Sequence, residues 1–566
     1  MKCAIKAIPK LGKSQLSFRI GLARERTQKY PMDDMNFIMM DLERPEQSSR
    51  HAHWCDGDLS GRTLEFLSSA DGIDGIYDER LPELFTRILN NQRKCGMPGK
   101  YLGNTTSASD RDTGHIAAGT SKILPGLMRY YRLTKDSRAL DAACCIADIV
   151  IGNQAKIEAA CKKGPETFIT WIFEAFAFLY KATMDEKYLE FFQSLSSYIP
   201  APYHVHSHSF LTTLRGVQAW SITTGNKQWN EQVEAIRKRI IEEEYEMADG
   251  GIAEVFPRSF RNEGCSVGDW LMVNLNAGFL NQDDSAYETA ENILWNALYF
   301  NQFITGGFGH RDLTPNGYGD TGVSEAWWCC TENCGIAMTE FARHVVTYAD
   351  GVVSVNFLIP GSYTIPMEGE KDITIHITTT YPASFEGFIQ AENLPEHIKV
   401  KIRVPSFVKN SSIIENRASN HAHIRIKGDI GHYITEKEHK VVLKYGPLVL
   451  SPSVYYWGDH NFISKENNVP AGYIPSVLPG TECTLLCKGY DENGFLKLDS
   501  EPLPDWSYFE EGNISRTAVK GASVNVLTEF DNKERFTLRF TPLCYNISNL
   551  SLYPAPILFR GLKLTE

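Results

Sequence analysis

The chain has 566 residues, 43% apolar, 11% aromatic and 22% charged, with 57 basic against 69 acidic side chains for a net charge of −12. This composition excludes intrinsic disorder, and the length points to roughly three or four domain-sized units. An acidic chain with no Lys/Arg tract argues against nucleic acid and anionic lipid, and no apolar run reaches the roughly 18–20 residues of a membrane helix. A small or uncharged partner is the expectation.

The segment from Met1 to Lys10 carries lysines with no apolar core behind them, so it does not read as a secretory signal. Thirteen cysteines is an odd and modest count, and the adjacent pairs Cys144-Cys145 and Cys329-Cys330 cannot close on themselves without strain. A reducing, cytoplasmic setting is therefore expected, although a mature chain stripped of a signal would read the same. Cysteine clusters are then metal-binding or catalytic before they are disulfides.

Up to about residue 345, apolar residues recur at helical spacing. Between Ser137 and Ile151 the period predicts a face made of Leu140, Cys144, Ala147 and Ile151. A pattern then repeats: an aromatic-rich helix, a short polar turn, an amphipathic helix. The turns fall at Thr134-Lys-Asp136, Thr183-Met-Asp185, Thr224-Gly-Asn226 and Asn281-Gln-Asp283, in steps of 49, 41 and 57 residues. Asp, Asn and Thr suit these places because their side chains cap the helix that follows. Hairpins recurring about every 50 residues must stack to bury their apolar faces, and about six fit before residue 345. That number suits an (α/α)6 toroid, with an open helical solenoid as the alternative. The Gly-rich insertions Ala248–Gly264 and Thr305–Gly322 are expected as functional loops at one mouth.

Beyond residue 345 the period becomes two, as in Ile373-Thr-Ile-His-Ile-Thr378, Ile398-Lys-Val-Lys-Ile-Arg-Val404 and Arg535-Phe-Thr-Leu-Arg-Phe540. The expected class is α + β and multidomain: a toroid over residues 1–345, a β-sandwich over 346–452 and a second β-sandwich over 453–566.

Three constellations could carry chemistry. Glu263 and Cys265 with Cys329 and Cys330 supply a carboxylate and three thiols, a four-ligand zinc set, and Cys334 adds a candidate one helical turn on. Buried, unligated cysteine is the competing reading. His204, His206 and His208 alternate on what reads as an extended segment, sharing one face; His115 and His310 stand in Gly-containing stretches. Any single histidine is more often a hydrogen-bonded loop residue. Glu254, after Gly250-Gly-Ile-Ala, is a loop carboxylate ahead of the cysteine cluster. Trp270, Trp295, Tyr318, Trp327 and Trp328 suit sugar rings and suit a helical core equally well. No phosphate-binding loop, dinucleotide Gly motif or Gly-x-Ser-x-Gly elbow is present.

Glu263-Gly-Cys-Ser-Val-Gly-Asp-Trp270, Thr305-Gly-Gly-Phe-Gly-His-Arg311 and Glu325-Ala-Trp-Trp-Cys-Cys330 resemble the β-L-arabinofuranosidase glycoside hydrolases, family 127 and its relative family 146. The stretch from His206 to Gly225, Thr113-Gly-His115 and Tyr445-Gly-Pro-Leu-Val449 are similar too, and the resemblance runs from about residue 15 to residue 450. It implies a catalytic (α/α)6 toroid followed by β-sandwiches, and Zn2+ held by Glu263, Cys265, Cys329 and Cys330. It implies Cys329 as nucleophile, Glu254 as general acid/base, and His115 and His206 on the substrate, with His208 and His310 as further candidates. The implied activity is that of a retaining exo-glycosidase releasing terminal β-L-arabinofuranose from plant-derived glycans. A carbohydrate is then the partner, and a homodimer is left open. Hydrolysis of a branched acidic sugar of pectin, aceric acid, is the alternative within the family, with Arg258, Arg261 and Arg311 as candidates for the basic subsite it would need. A non-catalytic glycan-binding protein with structural zinc is the alternative outside it, and would lack a carboxylate facing the cluster.

Overall fold

The structure, a computed structural model, describes residues 4–43, 57–95, 110–163, 167–199, 204–319, 324–452, 482–498, 521–531, 533, 535–545 and 555–565. Its helices are α1 (Gln15–Arg26), α2 (Met35–Ile38), α3 (Met40–Glu43), α4 (Asp58–Asp74), α5 (Leu81–Cys95), α6 (Asp110–Thr134), α7 (Ser137–Gly152), α8 (Gln154–Lys163), α9 (Phe173–Thr183), α10 (Glu186–Leu195), α11 (Ser207–Thr224), α12 (Lys227–Glu242), α13 (Gly264–Asn281), α14 (Asp284–Asn292), α15 (Tyr299–Asn301) and α16 (Cys329–His344). Among the described residues, no helix is long and apolar enough to cross a membrane.

The four polar turns join α6 to α7, α9 to α10, α11 to α12 and α13 to α14. Asp136, Asp185, Asn226 and Asp283 are the N-caps, each accepting a backbone N–H from the first turn of the next helix. Three turns carry a second lock. The hydroxyls of Thr134, Thr183 and Thr224 donate to the carbonyl four residues back and accept the N–H two residues on. The stripe expected on α7 is rotated. Ala139, Ala143, Ile146 and Val150 form its buried line, Ala147 of the expected face is buried with them, and Leu140, Cys144 and Ile151 sit half-buried beside it. Alanines let α7 lie close against α6 and α9, which outweighs the larger side chains one position over.

The helices nearest the site have no wet face. α11, α13 and α16 are buried around nearly their whole circumference. α4 and α6 cross closely through glycine: a Cβ on Gly61 would come 2.6 Å from the Lys122 backbone, and one on Gly126 would come 2.6 Å from the Gly61 carbonyl.

After α16 the described residues are mainly strands. One four-stranded sheet orders Ile5–Lys6, Val346–Ala349, Val352–Val355 and Lys399–Ile402. A six-stranded sheet orders Lys409–Ala418, His421–Asp429, Phe385–Glu392, Ile373–Thr379, Gly361–Ile365 and Ile8–Leu11. The first strands of the chain therefore belong with the last half, pairing Ile5 to Tyr348 and Ile8 to Thr364. A seven-stranded sheet runs across the division expected near Pro452, because Leu448–Pro452 pairs with Arg535–Pro542. Pairing between strands so far apart in sequence leaves no trace in the local period that suggested the boundary. Helices and strands are tied by a buried carboxylate. Glu291 accepts from Arg403 at 2.6 Å and from the Tyr381 hydroxyl at 2.7 Å.

Candidate functional site

A small sheet and two helix starts assemble the site. Strand Arg261–Glu263 pairs with Gly309–Thr314, which pairs in turn with Ser324–Glu325. The first strand feeds Glu263 into α13, whose first turn holds Cys265; the last leads to α16, which opens on Cys329-Cys330. Glycine lets the two helix starts meet. A Cβ on Gly264 would lie 2.9 Å from Asn301 Oδ1 and 3.1 Å from both Cys330 Cβ and Cys334 Sγ. The positive ends of two helix dipoles thus point at the thiols, which favours thiolate.

Donor atoms of Glu263, Cys265, Cys329 and Cys330 all lie within 4.8 Å of one another, and all four residues are buried. The Sγ of Cys265 is 3.6 Å from that of Cys330, Cys329 and Cys330 are 3.9 Å apart, and Cys330 Sγ lies 4.0 Å from Glu263 Oε1. Burial pushes the thiols of Cys265 and Cys330 well up, and the neighbouring Cys329 adds to both. Such a set could hold a metal ion, which would relieve both costs. Cys334 is not part of it. Its thiol donates to the Gly264 carbonyl at 3.1 Å, and burial pushes it well up.

In front of the cluster stand His206 and Glu254. His206 caps α11 and donates from Nε2 to Glu263 Oε2 at 2.8 Å; its Nδ1 meets Ser209 Oγ at 3.0 Å. Burial alone would push the Glu263 carboxyl up, but His206 outweighs it and holds it below its usual range. The reciprocal holds for His206, raised by Glu263, Glu254 and Cys329 against its own burial. Donor atoms of His206, Glu254 and Glu263 also fall within 4.8 Å of one another. Both oxygens of Glu254 are engaged by Arg261, one at 2.7 Å.

Behind the cluster lies His208. The alternating histidines are not on one extended face, because α11 begins between them. His204 is exposed, His206 is the cap, and His208 is in the first helical turn. His208 Nδ1 donates to Asp269 Oδ2 at 2.5 Å, and its Nε2 accepts from Arg62 at 3.2 Å. A guanidinium can only donate, so the ring is neutral with its proton on Nδ1. Burial, the largest cause, lowers its pKa accordingly. Asp269 accepts further from Thr212 (2.8 Å), Arg215 (2.8 Å) and Asn333 (3.2 Å). No ring nitrogen of His208 is left for a substrate.

The profile of the GH127 β-L-arabinofuranosidase catalytic domain matches residues 43–349. The chain belongs to the GH127 β-L-arabinofuranosidase family. It is a glycoside hydrolase. Three solved structures share the fold over almost the whole length. One is a GH127 β-arabinofuranosidase, at 14% identity and TM-score 0.69, with 99% of each chain covered. The second is a glycoside hydrolase, at 12% and 0.69, with 99% of this chain and 98% of that one covered. The third is a GH127 β-L-arabinofuranosidase from Geobacillus stearothermophilus T6, at 13% and 0.68, with 98% and 100% covered. No curated protein sequence matches the chain.

The remaining candidates of this GH127 hydrolase are scattered. His310 is half-buried on the strand facing Glu263, with Nδ1 3.3 Å from Ser324 Oγ. His115 belongs to α6, and its side chain lies outside the described residues. Arg258 pairs with Glu438 on the surface, and Arg311 is enclosed between the rings of Phe300 and Phe303. Trp270, Trp295 and Tyr318 are core residues, whereas Trp327 and Trp328, half-buried with ring centroids 4.2 Å apart, adjoin Cys329. Glu325 is held by Arg26 at 2.5 Å and Thr305 at 3.1 Å. Residues that the sequence reading passed over are Asp58, Arg62, Asp269 and Glu332. Asp269 sits in the Glu263–Trp270 motif, and Asp58 and Arg62 have the i, i+4 spacing of a helical ion pair; both signals were legible.

Proposed function

We infer that the chain is a retaining exo-glycosidase acting on terminal β-L-arabinofuranose of plant-derived glycans, with Cys329 as nucleophile and Glu254 as general acid/base. The observation that carries this reading is the convergence of three thiols and Glu263, with Glu254 and His206 directly against them. Zinc is the ion that suits the donors. A tetrahedral ion with Zn–S bonds of about 2.3 Å separates its sulfurs by about 3.8 Å, and the distances of 3.6 and 3.9 Å bracket that value. Bound there, zinc would keep the thiols deprotonated and temper their nucleophilicity.

The protein's own groups do the rest. Cys329 Sγ attacks the anomeric carbon as the glycosidic C–O bond breaks, and Glu254 gives its proton to the departing oxygen. Water then attacks from the side the aglycone left, Glu254 takes its proton, and the C–S bond breaks with net retention. Glu254 must carry a proton for the first step, and Arg261 engages both its oxygens in the free enzyme, so substrate binding has to open that pair. In this reading His206 and His310 meet sugar hydroxyls, His206 after giving up its Ser209 contact, with His115 assigned to the same task from the family resemblance; His208, its ring nitrogens held by Asp269 and Arg62, takes no part. The reading includes an (α/α)6 toroid for the helical half and β-sandwiches for the strands. Of the arginines named for an acidic subsite, Arg258 is paired with Glu438 and Arg311 is enclosed by aromatic rings, which favours a neutral sugar over aceric acid; Arg261, freed when its pair with Glu254 opens, is the one an acidic sugar could use. Glu254 beside the cluster favours catalysis over glycan binding alone.

The test is a panel of nitrophenyl furanosides and pyranosides, including β-L-arabinofuranoside, with zinc measured on the same sample. About one zinc per chain and turnover of the β-L-arabinofuranoside are expected. Stoichiometric zinc without turnover of any member would favour the binding protein. Glu254→Gln should lose about 10²–10⁴-fold on a disaccharide and less on nitrophenyl glycosides, with azide restoring the second step.

A further inference from the structure

Three thiolates and a carboxylate around a dication leave four negative charges against two positive ones. Cys265 and Cys330 are fully buried, where an uncompensated excess is costly. Arg62 of α4 reaches it through two histidines: it contacts His208, whose ring lies 5.9 Å from that of His206, the partner of Glu263. The side chain is 2% exposed, its Nε donates to Asp58 at 2.7 Å, and its Nη2 donates to His208 at 3.2 Å. Once Cys265 and Cys329 are thiolates, their charges would join Asp58 in holding the guanidinium protonated against its burial. The neighbouring residue pins the arrangement. Thr63 donates to Glu332 Oε1 at 2.5 Å, one helical turn beyond Cys329, so α4 is registered against α16. Of the other cations nearby, Arg215 is shared by two carboxylates, Asp269 and Glu174, Arg261 lies against both oxygens of Glu254, and Lys122 lies 4.3 Å over the Trp171 ring, whereas Arg62 meets Asp58 through Nε and turns Nη2 to neutral His208.

We propose that Arg62 is the counter-cation of the cysteine–glutamate cluster, a positioning residue whose fixed charge offsets the thiolates and sets how tightly the metal is held. The inference rests on the ligand set proposed above. Loading converts neutral thiols and one carboxylate into a set with one more net negative charge, the three thiol protons leaving to solvent. A cation alongside therefore favours the loaded state.

Zinc dissociation constants measured by chelator competition at one pH, on the purified full-length protein, test this. Arg62→Gln, which can still donate to His208, should weaken zinc about 10–100-fold. Arg62→Lys should recover most of that loss. Asp58→Asn removes the carboxylate competing for the guanidinium and should leave zinc as tight or tighter. If Arg62 merely closed an ion pair with Asp58, Arg62→Gln and Asp58→Asn would lose zinc equally, and that result overturns the proposal. Should Arg62→Gln fail to fold, the other two variants decide, and a tenfold or greater loss in Asp58→Asn is again fatal. Wild type without zinc would overturn the ligand set and this inference with it; wild type with zinc and an indifferent Arg62→Gln would overturn the inference alone.

Discussion

Two kinds of helix occur in the same half of the molecule. α10 buries Tyr188, Phe191, Phe192 and Leu195 along one line, and α12 buries Asn230, Val233, Arg237 and Ile240, with the rest of each facing water. α11, α13 and α16 have no such line, and their buried residues include His208, Asp269, Cys265, Cys329, Cys330 and Glu332. A helix with one wet face has its stripe written by the hydrophobic effect. A helix enclosed on all sides can hold a polar group only if that group is satisfied, as the four contacts of Asp269 show. The first kind buries a single line, whereas the second kind carries the buried polar network and the candidate site.

That contrast should fail first, if it fails, at Cys329. Cys329→Ser replaces the thiolate proposed to attack by a hydroxyl too weak to attack at neutral pH, so kcat should fall by several orders of magnitude on every leaving group. Turnover within tenfold of wild type would move the nucleophile elsewhere. Next in size is Asp269→Asn, which leaves Arg215 without its closest partner on α13 and offers His208 a weaker acceptor. Breaking a buried charge network of this kind costs about 3–5 kcal/mol, and urea unfolding would read it. A loss under about 1 kcal/mol would mean that the enclosed helices tolerate unmatched charge.

A smaller effect belongs to His344, at the end of α16. Burial lowers its pKa to about 3 from 6.5, and its Nδ1 donates to the Glu340 carbonyl at 2.8 Å. The unfolded chain takes up this proton as pH falls through 6.5, and the folded chain does not. Stability should therefore fall on acidification, by about 2–3 kcal/mol from this one group by pH 4.5. His344→Leu should flatten that limb by the same amount in unfolding curves taken from pH 7 to 4.5; an unchanged slope would rule the histidine out. The smallest effect is expected on a one-faced helix. Asp185→Ala removes the α10 cap, costing about 1 kcal/mol in thermal unfolding. Zinc content and kcat should not change.

The hairpin turns were legible because cap chemistry is local. Asp136, Asp185, Asn226 and Asp283 act on backbone two or three residues away, so spacing alone places them. The four cysteine and glutamate donors were legible through a motif, since Glu263-Gly-Cys265 and Cys329-Cys330 are compact in sequence. The histidines were not. Whether His204, His206 and His208 share a face depends on where α11 begins, and the backbone settles that by bridging His206 to Val255.

The sequence by itself determined the change from helical to strand period near residue 345, the capped turns and the residue types of the candidate metal-binding set, because each is written within a few residues. Only the tertiary structure decided which groups face one another. It set Thr63 of α4 against Glu332, 269 positions away, paired Ile5 with Tyr348, and turned His208 from a candidate ligand into the neutral partner of Asp269. Those choices follow from close packing of enclosed helices and from long-range strand pairing, whose partners no local pattern encodes.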